Sequence, residues 1–427
     1  MKMKTLFILF TLMATFCMGC DDNSNDATPG KPEAKIEQFT LQCGGTYYRG
    51  SINETSKVIS ISGITSRTAI TGVKYLLSGG ATISPNPQDI KRWEMEQKFT
   101  VTSSDNQIAE YTLLLPELQN EPEPSSKVVI GYLPANDWEY NDQFDNIHWE
   151  YLTHINVSFA LAKSDGTLNT DRVATNIRQI RDKAHAEGVK VLISIAKNTA
   201  GEFTTAISNE TSRSALIANI IQFTRTNQLD GFDIDYEEYT NWNANFPSLL
   251  AFIQALHAAK DENMLMTCAV GSRWLTYTEE WQQYFDYINL MSYDNGSFTT
   301  TPVQHSSFDD FVADLAYWLN TNLTPKEKIV GGLPFYGYSW DETVPKDEVR
   351  AVRYHGILEY FGKTAEVADS DVQSKTFYNG RVTIRKKCQY VMHEGFGGVM
   401  IWQLFQDAHE EDWKLINVVG EVMSQQK

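Results

Sequence analysis

The stretch Leu229–Tyr239, LDGFDIDYEEY, packs five acidic residues into an apolar frame. Charge at that density usually covers the solvated face of a helix. Here Asp233, Asp235 and Glu237 alternate with Phe232, Ile234 and Tyr236, and a period of two is that of a β-strand. Asp230 and Glu238 fall on the opposite parity. Carboxylates sharing one partly desolvated strand face cannot all ionise at their ordinary pKa, so at least one proton is retained and shared. A proton held on the outermost group, Glu237, is what a general acid needs. A calcium loop would follow the order D-x-[DN]-x-[DN]-G with a distal Glu, whereas Gly231 follows the first Asp here. A magnesium site on these carboxylates stays open at this point.

Working outward from the acidic strand, the runs KVVIGY, HINVSFA and VKVLISI precede it, and LMTCAVG, YINLMSY, KIVGGLPF and GGVMIW follow. Helical patterns lie between most of them. In DRVATNIRQIRDKAHAEG, for example, Val173, Ile177, Ile180 and Ala184 share one face and Gly188 suits a C-cap. Eight apolar strands alternating with helices predict a parallel (β/α)8 barrel over residues 127–427, with a doubly wound open sheet as the alternative. The barrel is preferred because polar residues collect at the C-terminal ends of the apolar runs, where barrel active sites form.

Residues 35–116 have a different texture. Runs such as KVISISG, AITGVKYLL, KFTVTSSDN and AEYTLLLP, broken by turn residues, predict an all-β, immunoglobulin-like sandwich. With no aromatic cluster in view, a spacer is favoured over a glycan-binding module. Residues 117–126 are a Pro- and Glu-rich linker, and 20–34 a polar tether. In residues 1–19, Lys2 and Lys4 precede the apolar segment Thr5–Met18, too short to cross a membrane and suited to a signal-peptide core. Its end, Cys17-Met18-Gly19-Cys20, resembles a bacterial lipoprotein signal with Cys20 as the lipid-bearing residue. The acids that follow resemble the surface-export signals of Bacteroidetes lipoproteins. An outer-membrane, cell-surface location is therefore expected, with ordinary secretion as the alternative and a lipid anchor as the sole membrane contact. The remaining cysteines, Cys43, Cys268 and Cys388, are too widely spaced for a disulfide framework or a CxxC metal site.

The net charge of −18 carries no basic cluster for a polyphosphate, so nucleic acid is excluded as a partner and a neutral or cationic ligand is favoured. A monomer is expected.

Asp230–Glu237, DGFDIDYE, matches the DGxDxDxE signature of glycoside hydrolase family 18, the chitinases and related endo-β-N-acetylglucosaminidases. Other segments resemble the family in order: GYLP with Tyr132, LMSYDN with Met291, Tyr293 and Asp294, GGLPFYGYSW with Tyr336, and GFGGVMIWQLFQD with Trp402. The resemblance covers the region from Val128 onward. It implies substrate-assisted hydrolysis, in which the substrate's own N-acetyl group is the nucleophile, an exception to the usual two-carboxylate scheme. Glu237 would protonate the glycosidic oxygen and later act as base. Asp235 would orient the acetamido N–H and stabilise an oxazolinium ion, and Tyr293 would donate to the acetamido oxygen. Asp233 would exchange a hydrogen bond with Asp235, supported by Tyr132 and Ser194, and Trp402 would floor the sugar. No metal or organic cofactor is implied.

After the third strand the family usually carries SxGG and an aromatic. This chain has SIAKN, keeping Ser194 but placing Ala196, Lys197 and Asn198 in the other positions. Between FYGYSW and GGVMIW the chain is short, which predicts a loop, a helix and the final approach in place of an α+β subdomain, and hence an open, shallow, endo-acting cleft. Tyr336, Trp340, Trp274 and Trp242 are candidate cleft aromatics. Three functions fit: a retaining hydrolase of β-1,4-linked N-acetylglucosamine, an endoglycosidase of the N-glycan chitobiose core, or a silent glycan-binding barrel. The motif MSYD favours the first and a surface lipoprotein the second, while the presence of Glu237 argues against the third.

Overall fold

The computed structural model describes residues 32–43, 46–64, 70–90, 93, 95–116, 127–273 and 275–424. The expected signal peptide, Cys20, most of the tether, the linker 117–126 and Trp274 lie outside the described residues. The chain divides into two compact units, residues 1–123 and 124–427. Among the described residues no helix is long and apolar enough to cross a membrane.

The first unit is all-β, as expected. Ile36–Cys43 is the centre of a three-stranded antiparallel sheet, flanked by Thr46–Arg49 and Ile70–Leu77. A five-stranded sheet runs Ser51–Asn53, Val58–Ser60, Ile108–Leu114, Glu96–Thr102, Thr82–Ser84; its one parallel pairing joins Val58–Ser60 to Ile108–Leu114. Alternation supplies the core. Phe39 and Leu41 of the first sheet meet Ile59, Phe99, Val101, Tyr111 and Leu113 of the second, with Trp93 among them.

The second unit is a closed barrel of eight parallel strands: β1 Val128–Pro134, β2 His154–Ala162, β3 Lys190–Lys197, β4 Gly231–Asp235, β5 Leu265–Gly271, β6 Tyr287–Met291, β7 Ile329–Pro334 and β8 Gly398–Trp402. Each pairs with the next, and β8 pairs with β1 to close the ring. Closure demands close strand approach at β4. A Cβ on Gly231 would stand 2.1 Å from the Leu265 carbonyl oxygen, so only glycine fits.

The two faces of β4 part as its period of two requires. Phe232 and Ile234 enter the layer between strands and helices, with Leu216 and Ile220 of helix Glu210–Thr226 and Phe252 of helix Trp242–Ala259. The other parity faces the barrel interior, where Ile130, Tyr132, Val330 and Met400 form a separate apolar cluster.

Between β7 and β8 the expectation is corrected. The stretch builds a four-stranded antiparallel sheet in the order Ala351–Arg353, Tyr336–Ser339, Thr376–Phe377, Val372–Gln373, together with helices Tyr354–Phe361 and Ala365–Asp369. A small α+β insertion fits in so few residues because its strands are only two to four residues long.

Candidate active site

Register sets the floor of the site. Ser194 of β3, Asp233 of β4 and Thr267 of β5 are direct neighbours across the sheet, so their side chains meet in one interior layer. Asp233 is fully buried there and accepts four hydrogen bonds. Oδ2 takes the hydroxyls of Tyr132 and Ser194, each at 2.7 Å, and Oδ1 takes Thr267 Oγ1 at 2.6 Å and Asn289 Nδ2 at 3.3 Å. Burial pushes its pKa up, and the four donors offset that only in part. A carboxylate offers about four lone-pair positions. With those filled, Asp233 itself has no lone pair left for a metal ion.

Asp235, two residues outward, is buried without that support. Its Oδ1 has no hydrogen-bond partner, a rare condition for a buried oxygen. Burial, then the charges of Glu237 and Asp233, drive its pKa well above the carboxylate range. Glu237 lies just past the end of β4 at the mouth, its side chain 43% exposed. Burial by the surrounding walls raises its pKa; Lys197 lowers it and Asp294 raises it. Lys197 Nζ is 4.0 Å from Glu237 Oε2 and donates to the Glu237 carbonyl oxygen at 3.0 Å. Proton retention on the outer carboxyls follows directly from this crowding.

The two acids of opposite parity do structural work. Asp230 accepts from Val191 N at 2.7 Å and pairs with His185 at 2.8 Å, tying β3 and β4 to a helix. Glu238 accepts from Gly201 N, and from Thr204 N and Oγ1 at 2.6 Å each, at the N-terminus of helix Glu202–Ser208.

Opposite β4, Tyr293 follows β6. Its hydroxyl is buried and points to Met400 Sδ at 3.8 Å. Gly332 makes room for it: a Cβ there would stand 2.9 Å from the Tyr293 ring and 2.3 Å from the Leu290 carbonyl oxygen. Met291 and Tyr336 pack in the same cluster. Asp294 has φ 66°, unusual for a non-glycine residue, and is held by the hydroxyls of Tyr336 and Tyr338, the latter at 2.9 Å, with His305 Nδ1 3.8 Å away. Burial opposes its ionisation, but His305 and the two tyrosines outweigh it and keep its pKa low. Trp402 ends β8. Its indole stacks on Phe159 with centroids 5.8 Å apart and tilts against Tyr132 at 5.4 Å.

Thus Tyr132, Ser194, Asp233, Asp235, Glu237, Met291, Tyr293, Asp294, Tyr336 and Trp402 all meet at or just above the C-terminal ends of the barrel strands. Of the other aromatics, Trp340 donates to the Thr299 carbonyl oxygen and lies under Arg350, so it braces a loop. Trp242 is core, packed against Phe246 and Tyr277. Sequence reasoning missed Thr267, Asn289, Tyr338, Phe159 and Trp138. The first two had a signal: a polar residue inside each of the apolar runs LMTCAVG and YINLM. Trp138, after β1, is 69% exposed and lies under the Arg353 guanidinium at 4.8 Å. Nothing in the sequence tells it from a core tryptophan.

Comparison with known proteins agrees with this geometry. Residues 128–407 match glycosyl hydrolases family 18, and residues 1–123 match a domain of unknown function (DUF4971). The chain belongs to glycosyl hydrolase family 18. It is similar to a chitinase from Bacteroides thetaiotaomicron, at 60% identity and TM-score 0.69, over 70% of this chain and 97% of that one. The family 18 chitinase ChiB from the chitin utilization locus of Flavobacterium johnsoniae is similar at 31% identity and TM-score 0.62, over 71% and 96% of the two chains. A chitinase-like effector of Moniliophthora roreri is 26% identical over 252 residues, 52% of this chain, which spans 60% of that relative's length. This family 18 member is thus a chitinase-type glycoside hydrolase.

Proposed function

We propose that the protein hydrolyses β-1,4-linked N-acetylglucosamine, as chitin or chito-oligosaccharides, with retention of configuration and through an oxazolinium intermediate. The observation that carries this reading is the bare, buried Oδ1 of Asp235 between a saturated Asp233 and an open Glu237. An acetamido N–H from the substrate supplies the missing donor and fixes the acetamido oxygen beneath C1. Glu237 protonates the leaving oxygen, then deprotonates the water that opens the oxazolinium. As the ring closes, positive charge grows beside Asp235, whose pKa falls; Asp233, held by its four donors, stays fixed beneath it. The Tyr293 hydroxyl, whose sole described partner is a weakly accepting sulfur, turns to the acetamido oxygen. Trp402 offers its indole as the apolar floor, and the reaction itself needs no cofactor. Anchoring through Cys20 at the cell surface belongs to the same proposal and rests on residues 1–20; labelled-lipid incorporation lost in Cys20→Ala tests it.

The decisive experiment incubates the protein and Glu237→Gln with chito-oligosaccharides and with a high-mannose glycoprotein, reading products by mass and the first anomer by NMR. Cleavage of the chito-oligosaccharides to the β-anomer, lost in the variant, is the expected result. Release of intact N-glycans with chitin untouched would move the substrate to the chitobiose core and keep the residue roles. No turnover of either would overturn the reading in favour of a glycan-binding barrel.

A further inference from the structure

Away from the reaction centre, three segments distant in sequence converge on one buried cluster. Glu139 lies just after β1, His355 in the first turn of helix Tyr354–Phe361 of the insertion, and His409 in the segment after β8. Glu139 Oε1 is 3.3 Å from His355 Nε2 and 3.6 Å from His409 Nε2, and the two imidazoles stack with centroids 4.2 Å apart. One ligand atom from each residue lies within 4.8 Å of the other two.

Hydrogen bonding does not account for this arrangement. His355 is only 8% exposed, yet its Nδ1 has no hydrogen-bond partner, its Nε2 meets Glu139 at 3.3 Å in an alignment poor for a hydrogen bond, and Nε2 of His409 is bare. Buried nitrogens facing a carboxylate at this range without bonding to it are rare and costly. Charge is unbalanced in the same place. Asp137, Glu139 and Asp347 surround a single guanidinium, that of Arg353, at 2.9, 3.0 and 3.6 Å, an excess of two negative charges. Glu359, at the rim, adds a further carboxylate 4.0 Å from both imidazoles. Arg353 meanwhile holds Glu139 by Oε2 and turns Oε1 toward the histidines, as an outer partner orients a metal-binding carboxylate.

We propose that Glu139, His355 and His409 bind a divalent transition-metal ion, zinc foremost, which ties the insertion to the segments after β1 and β8. Ligands of a tetrahedral zinc at about 2.0–2.1 Å stand roughly 3.3–3.4 Å apart, close to the carboxylate–imidazole spacings here. Two imidazoles and one carboxylate suit zinc, cobalt or nickel, whereas calcium and magnesium favour all-oxygen sets. The ion is a positioning device, not a cofactor of the hydrolysis. Through Glu139 it steadies Arg353, which lies over the exposed Trp138 and pairs with Asp137; Asp137 in turn accepts from Gln403, the residue after Trp402. Ion occupancy thereby reaches both aromatics at this edge of the barrel mouth.

The test strips the full chain with chelator and titrates it with Co2+ and, separately, Zn2+. Visible ligand-field bands of low-symmetry Co2+, stoichiometric binding by equilibrium dialysis and a higher Tm with Zn2+ are expected in the wild type. They are expected also in His393→Gln, which removes an exposed histidine elsewhere, and to be lost in His355→Gln and His409→Gln. His409 is the more exposed ligand, so its variant keeps the test readable if His355→Gln fails to fold. Wild-type protein without stoichiometric binding, or binding retained in folded His409→Gln, would overturn the site.

Discussion

The inner and outer ends of the acidic strand carry the same functional group in opposite surroundings. At the inner end Asp233 draws donors from four strands, β1, β3, β5 and β6, so every lone pair is used. At the outer end Asp235 keeps a bare oxygen, and Glu237 faces water and one ammonium 4.0 Å away. In the proposed reaction the completed group has only to stay in place, and the incomplete ones are those that await a substrate. Unmet hydrogen-bonding capacity, rather than charge alone, marks where binding energy is to be gained.

The largest effects are expected at the outer end. Glu237→Gln removes the transferable proton and keeps the volume, so kcat/KM on chito-oligosaccharides should fall by roughly 10²–10⁴-fold with oligosaccharide affinity retained. Full activity in that variant would remove Glu237 from the acid role. Asp235→Asn should lower kcat by about 10²–10³-fold with a smaller change in affinity, because the carboxylate's charge matters most as the oxazolinium forms. A glycoside without the N-acetyl group separates the two variants. It should be inert with wild type, and if it turned over readily, Asp235 would have no acetamido group to hold.

This contrast was half legible in the sequence. The alternation in GFDIDYE sorts the acids by face, and the apolar runs on either side are long enough to announce a parallel barrel. The donors to Asp233 were less visible. Tyr132 and Ser194 came by family resemblance, whereas Thr267 and Asn289 sit in strands whose register with β4 no local pattern specifies. The insertion was missed for a related reason. Strands of two to four residues carry too little periodicity to register, and their pairing is a long-range matter. Trp138 and Trp242 look alike as residues, yet one is 69% exposed and the other lies in the core. Only tertiary packing distinguishes them.

Stability probes the inner end. Asp233→Asn keeps the size but turns an acceptor into an NH2 that faces hydroxyl donors, so it should cost about 1–3 kcal/mol in denaturant unfolding. Glu237→Gln, which keeps the volume at an open position, should leave stability nearly unchanged. The reverse ranking would mean that the saturated inner end is not what holds the site together.

The smallest expected effect is the sharpest on mechanism. Lys197 stands where the family usually has a glycine of SxGG, and among the described residues its ammonium is the cation that favours ionised Glu237. Lys197→Met keeps the stem and removes the charge, so the Glu237 pKa should rise and the acid should stay protonated to higher pH. The alkaline limb of the kcat/KM profile should therefore move up with little change in the plateau, and Lys197→Arg should move it back. A limb that stays put in Lys197→Met would place control of the Glu237 proton in burial and in Asp294, and would leave Lys197 a brace for the carbonyl at the end of the strand.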